Sequence, residues 1–158
     1  MTRARERPTG YVPDRGILFD TSVIVAALLD AHPHHQLALP WMMRVLSDEI
    51  SLYLASHSLA EIYSAMTTIP VTPRITPAQA RQLIDEVVVR LCHAHIISLT
   101  STEYLAAIDV VNRQNLRGGV IHDAVIAQCA HKAKVSLLTF NRRDFARVAE
   151  PTTEIIAP

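Results

Sequence analysis

The chain has 158 residues, 49% of them apolar, and its 15 Lys and Arg balance its 15 Asp and Glu. That length suits one domain with a core of its own, which needs no disulfide or structural zinc to fold. Zero net charge excludes the chain-wide positive field of a general nucleic-acid binder, so contact with a polyanion must come from a local patch.

In chain order, residues 1–16 carry four Arg with Gly and Pro breaks and no apolar core of a signal peptide, and read as a basic flexible tail. ILF (17–19) is a short buried strand, closed by Asp20, and VIVAALL (23–29) is a nearly all-apolar helix. HPHH (32–35) leads towards a second helix through WMMRVL, which Pro40 is expected to kink or restart. SLYLAS (51–56) is a second strand, and Ser58 opens a helix through Thr67. After the Pro-rich loop 68–77, Thr76 caps a helix running to Cys92, with Pro77 at its first position. Ala80, Leu83, Ile84, Val87, Val88 and Leu91 form its apolar stripe, facing either the core or a partner.

HIISL (95–99) is a third strand, followed by a helix from Thr102 to Asn115 with Leu105, Ile108 and Val111 inward. RGG (117–119) turns the chain into a buried helix, 122–133. A fourth strand (136–140), a short helix (142–149) and a last strand (153–156) complete the chain. Strands alternate with helices and no hairpin signal appears. The expected fold is therefore α/β: a mainly parallel central β-sheet flanked by α-helices on both faces, in one domain over 17–158. No apolar run approaches the roughly 18–20 residues of a membrane span. Cys92 and Cys129 lie in apolar patterns without a CxxC pair, so a cytoplasmic protein with reduced thiols is expected.

Four acids stand at element boundaries. Asp20 follows the first strand, Glu61 and Asp144 open the helices after the second and fourth, and Asp123 opens the helix after the RGG turn. In open α/β sheets, groups just beyond the carboxyl ends of strands converge on one crevice. The plainer alternative makes each acid a helix cap, since Ser58-x-x-Glu61 and Asn141-x-x-Asp144 both have capping-box form. On that alternative the protein is a binding module or regulator whose acids are structural caps, without catalytic activity. Against it, Thr21 or Ser22, Ser58 and Asn141 already offer non-acidic caps. Clustered carboxylates repel unless a cation enters, and a hard ion such as Mg²⁺ or Mn²⁺ prefers carboxylate and water. Such an ion activates water for attack on a phosphodiester. An aspartyl-nucleophile phosphotransferase fits less well, because Ser22 stands where that chemistry needs a second Asp.

The pieces ILFDTSVIVAALL, SHSLAEIYSAM, LRGGVIHDAVIAQCA and LLTFNRRDFARV resemble, in order and spacing over about residues 17–156, the PIN-domain nucleases. The likeness is closest to the VapC-type toxins of VapBC toxin–antitoxin pairs, and GGxxxDAxIAxxA with TxNxxDF is its most specific part. The resemblance implies a three-layer α/β/α fold and a Mg²⁺- or Mn²⁺-dependent endoribonuclease. Asp20, Glu61, Asp123 and Asp144 would be its metal-site acids, Ser22 would help hold the metal or its water, and Asn141 would orient the site. It also implies an RNA substrate, a small cognate antitoxin lying over the active site, and a homodimer. Pro40 and the long tail depart from the family pattern.

Arg117, Arg142 and Arg143 flank the acids and are candidates for phosphate contact, against the plainer reading of a solvated face. His32, His34 and His35 read as a helix entry rather than a metal site, His122 as a helix-start residue rather than a proton shuttle, and Trp41 and Tyr53 as core.

Overall fold

Five short strands pair side by side, all parallel, in the order β3-β2-β1-β4-β5. A computed structural model describes residues 15–158; the tail reading falls almost wholly on residues outside the described range. The strands are β1 (Gly16–Phe19), β2 (Ser51–Ala55), β3 (His95–Ile97), β4 (Ser136–Leu138) and β5 (Ile155–Ile156). The helices are α1 (Thr21–Leu28), α2 (His35–Leu46), α3 (Ser58–Thr68), α4 (Pro77–Leu83), α5 (Ser101–Arg113), α6 (Val120–Ala133) and α7 (Arg142–Val148). The predicted helix 77–92 is one continuous rod whose second half, Ile84–Leu91, is wound as a π-helix.

β1 is the central strand, with Ile17 beside Leu52 of β2 and Leu18 beside Leu137 of β4. Successive side chains alternate between two cores, as the period of a strand requires. Ile17, Phe19, Leu52, Leu54 and Leu138 join one core with α1 to α4, while Leu18, Tyr53, Ala55 and Leu137 join the other with α5 to α7. The sheet is thus covered on both faces, which is why its strands are apolar on both sides. α1 buries every residue from Val23 to Ala27, so its sequence shows no polar face.

Two expectations are corrected. α2 runs unbroken through Pro40, which sits exposed on its outer side. The proline removes one N–H from the ladder, but buried Ala38, Met42 and Val45 clamp the helix to the core on both sides of it. Leu105 and Ile108 do not point inward: they are 61% and 47% exposed, and α5 is rolled so that Ala107 and Val111 centre its buried face. Trp41 and Tyr53 pack against the two cores as expected, partly buried, with the Arg44 guanidinium over the indole and His95 stacked on the phenol ring.

The edge that matters is the carboxyl end of the sheet. β1 connects onward to β2 on one side while β4 lies on its other side, so the strand order reverses between β1 and β4. A crevice opens at such a switch point. α1, α3 and α7 follow strands and therefore start at this edge. α6 leads into parallel β4, runs back against the strands, and starts at the same edge.

Candidate active site

Asp20 is the first residue after β1 and is buried, 7% exposed. Its backbone N–H continues the sheet by donating to the Leu138 carbonyl at 2.9 Å. Its carboxylate accepts hydrogen bonds from Ser22 Oγ at 2.6 Å and from Thr139 Oγ1 at 2.9 Å, both on Oδ2. Burial drives its pKa upward, and these hydroxyl bonds only partly oppose that.

Glu61, in the first turn of α3, accepts from Thr21 Oγ1 at 2.8 Å on Oε2. Its Oε1 faces two imidazoles, His57 Nε2 at 3.1 Å and His122 Nδ1 at 3.6 Å. Burial would raise its pKa, but the bonds from His57 and Thr21, with the charges of His57 and His122, outweigh it and hold the carboxyl below its ordinary value.

Asp123, in the first turn of α6, is partly buried, and its pKa is pushed up to about 6. Burial is the main cause, and the charges of Asp20, Asp144 and Glu61 add to it in that order. Asp123 therefore lies within electrostatic reach of the other three acids. Asp144, in the first turn of α7, accepts from Asn141 Nδ2 at 2.8 Å and lies 4.0 Å from Arg147 Nη1.

The capping alternative meets a direct comparison inside the same chain. α4 and α5 begin with complete capping boxes, Thr76 with Gln79 and Thr100 with Glu103. At α1, α3, α6 and α7 no side-chain capping bond forms. Ser58 lies inside its helix with Oγ buried and unpaired, and Asn141 turns its amide to Asp144 instead of reciprocating with the backbone. The two capping-box patterns read at these acids are thus not capping boxes.

A cleft of about 650 Å³ opens over this edge, and Asp20, Ser22, Glu61, Asp123 and Asn141 are in its wall. Asp144 is not in that wall, but it is bonded to Asn141, which is, and its charge reaches Asp123. Arg117, Arg142 and Arg143 are exposed. Among the described residues, the ligand atoms that close to within 4.8 Å of one another are those of His57, Glu61 and His122; the other three acids stand outside that group.

Sequence reasoning missed three residues of this edge. Thr139 and Thr21 each hold a catalytic-edge carboxylate, and each sits next to an element boundary where a hydroxyl reads as a mere turn or cap. His57 carried a usable signal, since it lies four residues before Glu61 and so shares its helix face. His32, read as a helix entry, is also in the cleft wall, while His35 Nδ1 lies 2.9 Å from the Ala26 carbonyl.

Comparison with known proteins identifies the family and the fold. Residues 17–151 match the family described as PIN domain. Ribonuclease VapC27 of Mycobacterium tuberculosis is 30% identical over 124 residues, covering 78% of this chain and 83% of its own. Ribonuclease VapC40 of the same organism is 29% identical over 132 residues, covering 78% and 85%. Among solved structures, VapBC2 from Rickettsia felis, bound to a DNA fragment from its promoter, superposes with a TM-score of 0.64. That match has 19% identity and covers 90% of this chain and 98% of the other.

Proposed function

This chain belongs to the PIN-domain family, and on that premise we propose that it is a metal-dependent endoribonuclease, the toxin of a type II toxin–antitoxin pair that inhibits translation. The observation that carries the reading is that Asp20, Glu61 and Asp123 share one cleft wall, with Asp144 acting on Asp123, and that none of the four caps its own helix. Relatives named as ribonucleases support RNA as the substrate.

The donor set fits a hard divalent ion. It consists of carboxylate oxygens, and burial with the charges of Asp20, Asp144 and Glu61 raises Asp123 to about 6, a repulsion that a divalent ion would offset. Asp20, Glu61, Asp123 and Asp144 would hold Mg²⁺ or Mn²⁺, which when bound supplies activation of water and neutralisation of charge on the phosphate. The chain's own groups do the positioning. Ser22 and Thr139 fix the Asp20 carboxylate, Thr21 fixes Glu61, and Asn141 fixes Asp144. Arg117, Arg142 and Arg143 are exposed and offer guanidinium groups to the phosphates of a strand entering the cleft.

A small antitoxin lying over the cleft is the proposed partner, supported by the toxin–antitoxin complex of Rickettsia felis that shares the fold. A homodimer is proposed on the apolar side chains exposed along α5. No helix among the described residues is long and apolar enough to cross a membrane.

The test is cleavage of a tRNA and rRNA panel with Mg²⁺ or Mn²⁺, with and without a chelator. Wild type cleaves only with metal, and Asp20→Asn and Asp144→Asn each lose about a hundredfold or more. Undiminished cleavage in chelator, or by both variants, overturns the reading.

A further inference from the structure

The rim of the cleft carries a second ligand set of different chemistry. His57 Nε2, His122 Nδ1 and Glu61 Oε1 form a triangle with sides of 3.1, 3.3 and 3.6 Å. Bonds of roughly 2.0–2.1 Å to a tetrahedral ion put any two ligand atoms about 3.3–3.4 Å apart. The three separations are thus close to those along one face of a coordination tetrahedron.

We propose that His57, Glu61 and His122 form a binding site for a transition ion of the Zn²⁺ class, separate from the hard-ion position and sharing only Glu61 with it. Two imidazoles and a carboxylate suit zinc and do not suit Mg²⁺. The elements pre-arrange the set: His57 precedes Glu61 by four residues at the start of α3, and His122 reaches across from α6. The two rings are stacked, with centroids 5.2 Å apart, and both turn a nitrogen to the same carboxylate oxygen. His57 presents Nε2 to the group, at 3.1 Å from Glu61 Oε1 and 3.3 Å from His122 Nδ1. The His122 side chain is 56% exposed, so an ion enters from solvent and keeps an open coordination position. Glu61 divides its oxygens: Oε1 faces the histidines and Oε2 accepts from Thr21. Zinc at the rim therefore ties α3 to α6 at the mouth of the acid cleft and draws on the same carboxylate.

The inference touches the nuclease reading only through Glu61, and its test is read without RNA, so failure of one leaves the other standing. Untagged full-length protein in excess Mg²⁺ is titrated with Zn²⁺ by calorimetry, and with Co²⁺ by visible absorption, where tetrahedral sites give intense bands. Wild type takes up a single ion and shows those bands. His57→Gln and His122→Asn each weaken binding at least about tenfold and abolish the bands. Asp144→Asn and the double variant His32→Asn/His34→Asn stay within about threefold of wild type, by the same ligand logic. If His57→Gln does not fold, the exposed His122→Asn decides alone. Binding that survives both single histidine variants, or falls with Asp144→Asn, overturns the proposal.

Discussion

Thr139 donates a 2.9 Å hydrogen bond to Asp20 across 119 residues of sequence. The two residues cap neighbouring parallel strands where the sheet order reverses, and the Asp20 N–H already continues that pairing to the Leu138 carbonyl. The same Thr139 oxygen accepts from the Asn141 N–H at 2.9 Å, and the Asn141 amide donates to Asp144. One wholly buried hydroxyl therefore joins the acid after β1 to the turn that carries the acid of α7. The chain Asp20–Thr139–Asn141–Asp144 gives the cleft a fixed wall even though its carboxylates repel.

Thr139→Val keeps the shape of that side chain and removes both its donor and its acceptor. The Asn141 N–H then lacks its partner, and Asp20 retains only Ser22 among its side-chain donors. A loss of about 1–2 kcal/mol follows, read by urea unfolding, together with at least about tenfold slower RNA cleavage from a displaced Asp20. Wild-type values for both would show that this hydroxyl holds nothing that matters.

Stability without metal should depend on pH through Asp123. Its folded pKa of about 6 lies above the ordinary 3.8, so the folded state holds this proton more tightly than the unfolded chain does. The resulting stabilisation is complete below about pH 4 and disappears as pH rises through about 6. Asp20, also raised, acts in the same direction. Asp123→Asn removes the repulsion, so in chelator at pH 7 it should be more stable than wild type. The gain is about 1–2 kcal/mol, discounted because the group is partly exposed. Added Mn²⁺ should stabilise wild type more than the variant. Melting curves from pH 4 to 8 check this; a variant less stable than wild type at pH 7 without metal would make Asp123 a structural group.

Element types were legible because period and punctuation agreed. Pro77 behind Thr76 marks a true helix start, and the apolar runs of β1, β2 and β4 are what a sheet covered on both faces requires. The acids were legible as a set, because each lies next to a strand end or helix start and the parallel topology brings those to one edge. What holds them was not. Thr139 to Asp20 and Thr21 to Glu61 are pairings between distant segments, and nothing local distinguishes such a hydroxyl from a turn residue. The roll of α5 was illegible for a related reason. Leu105, Ile108 and Val111 satisfy helical spacing, but the face that packs on α6 is set by small Ala107, which permits close approach.

Pro40 offers a separate check on how α2 tolerates its break. The helix continues through it because its buried side chains are anchored on both sides, so the proline costs stability without setting structure. Pro40→Ala restores a backbone donor at an exposed position and should stabilise the protein by about 1–2 kcal/mol, less than the full interior penalty because the helix has already adapted. Chemical denaturation measures it. A destabilised variant would mean that Pro40 shapes the helix in a way its exposed position conceals.

Tyr104, Leu105 and Ile108 leave an apolar stripe on the outer side of α5, 37%, 61% and 47% exposed. Side chains three and four apart on a helix are neighbours, so the three form one patch rather than scattered contacts. If the chain pairs with a second copy through this face, Leu105→Glu with Ile108→Glu places like charges from both copies against each other and desolvates them. Sedimentation should then show wild type as a dimer and the double variant as a monomer. The variant's own fold should change by less than about 1 kcal/mol, since neither residue is in the core. A double variant that remains dimeric would move the interface off α5, and a monomeric wild type would remove the homodimer from the proposal.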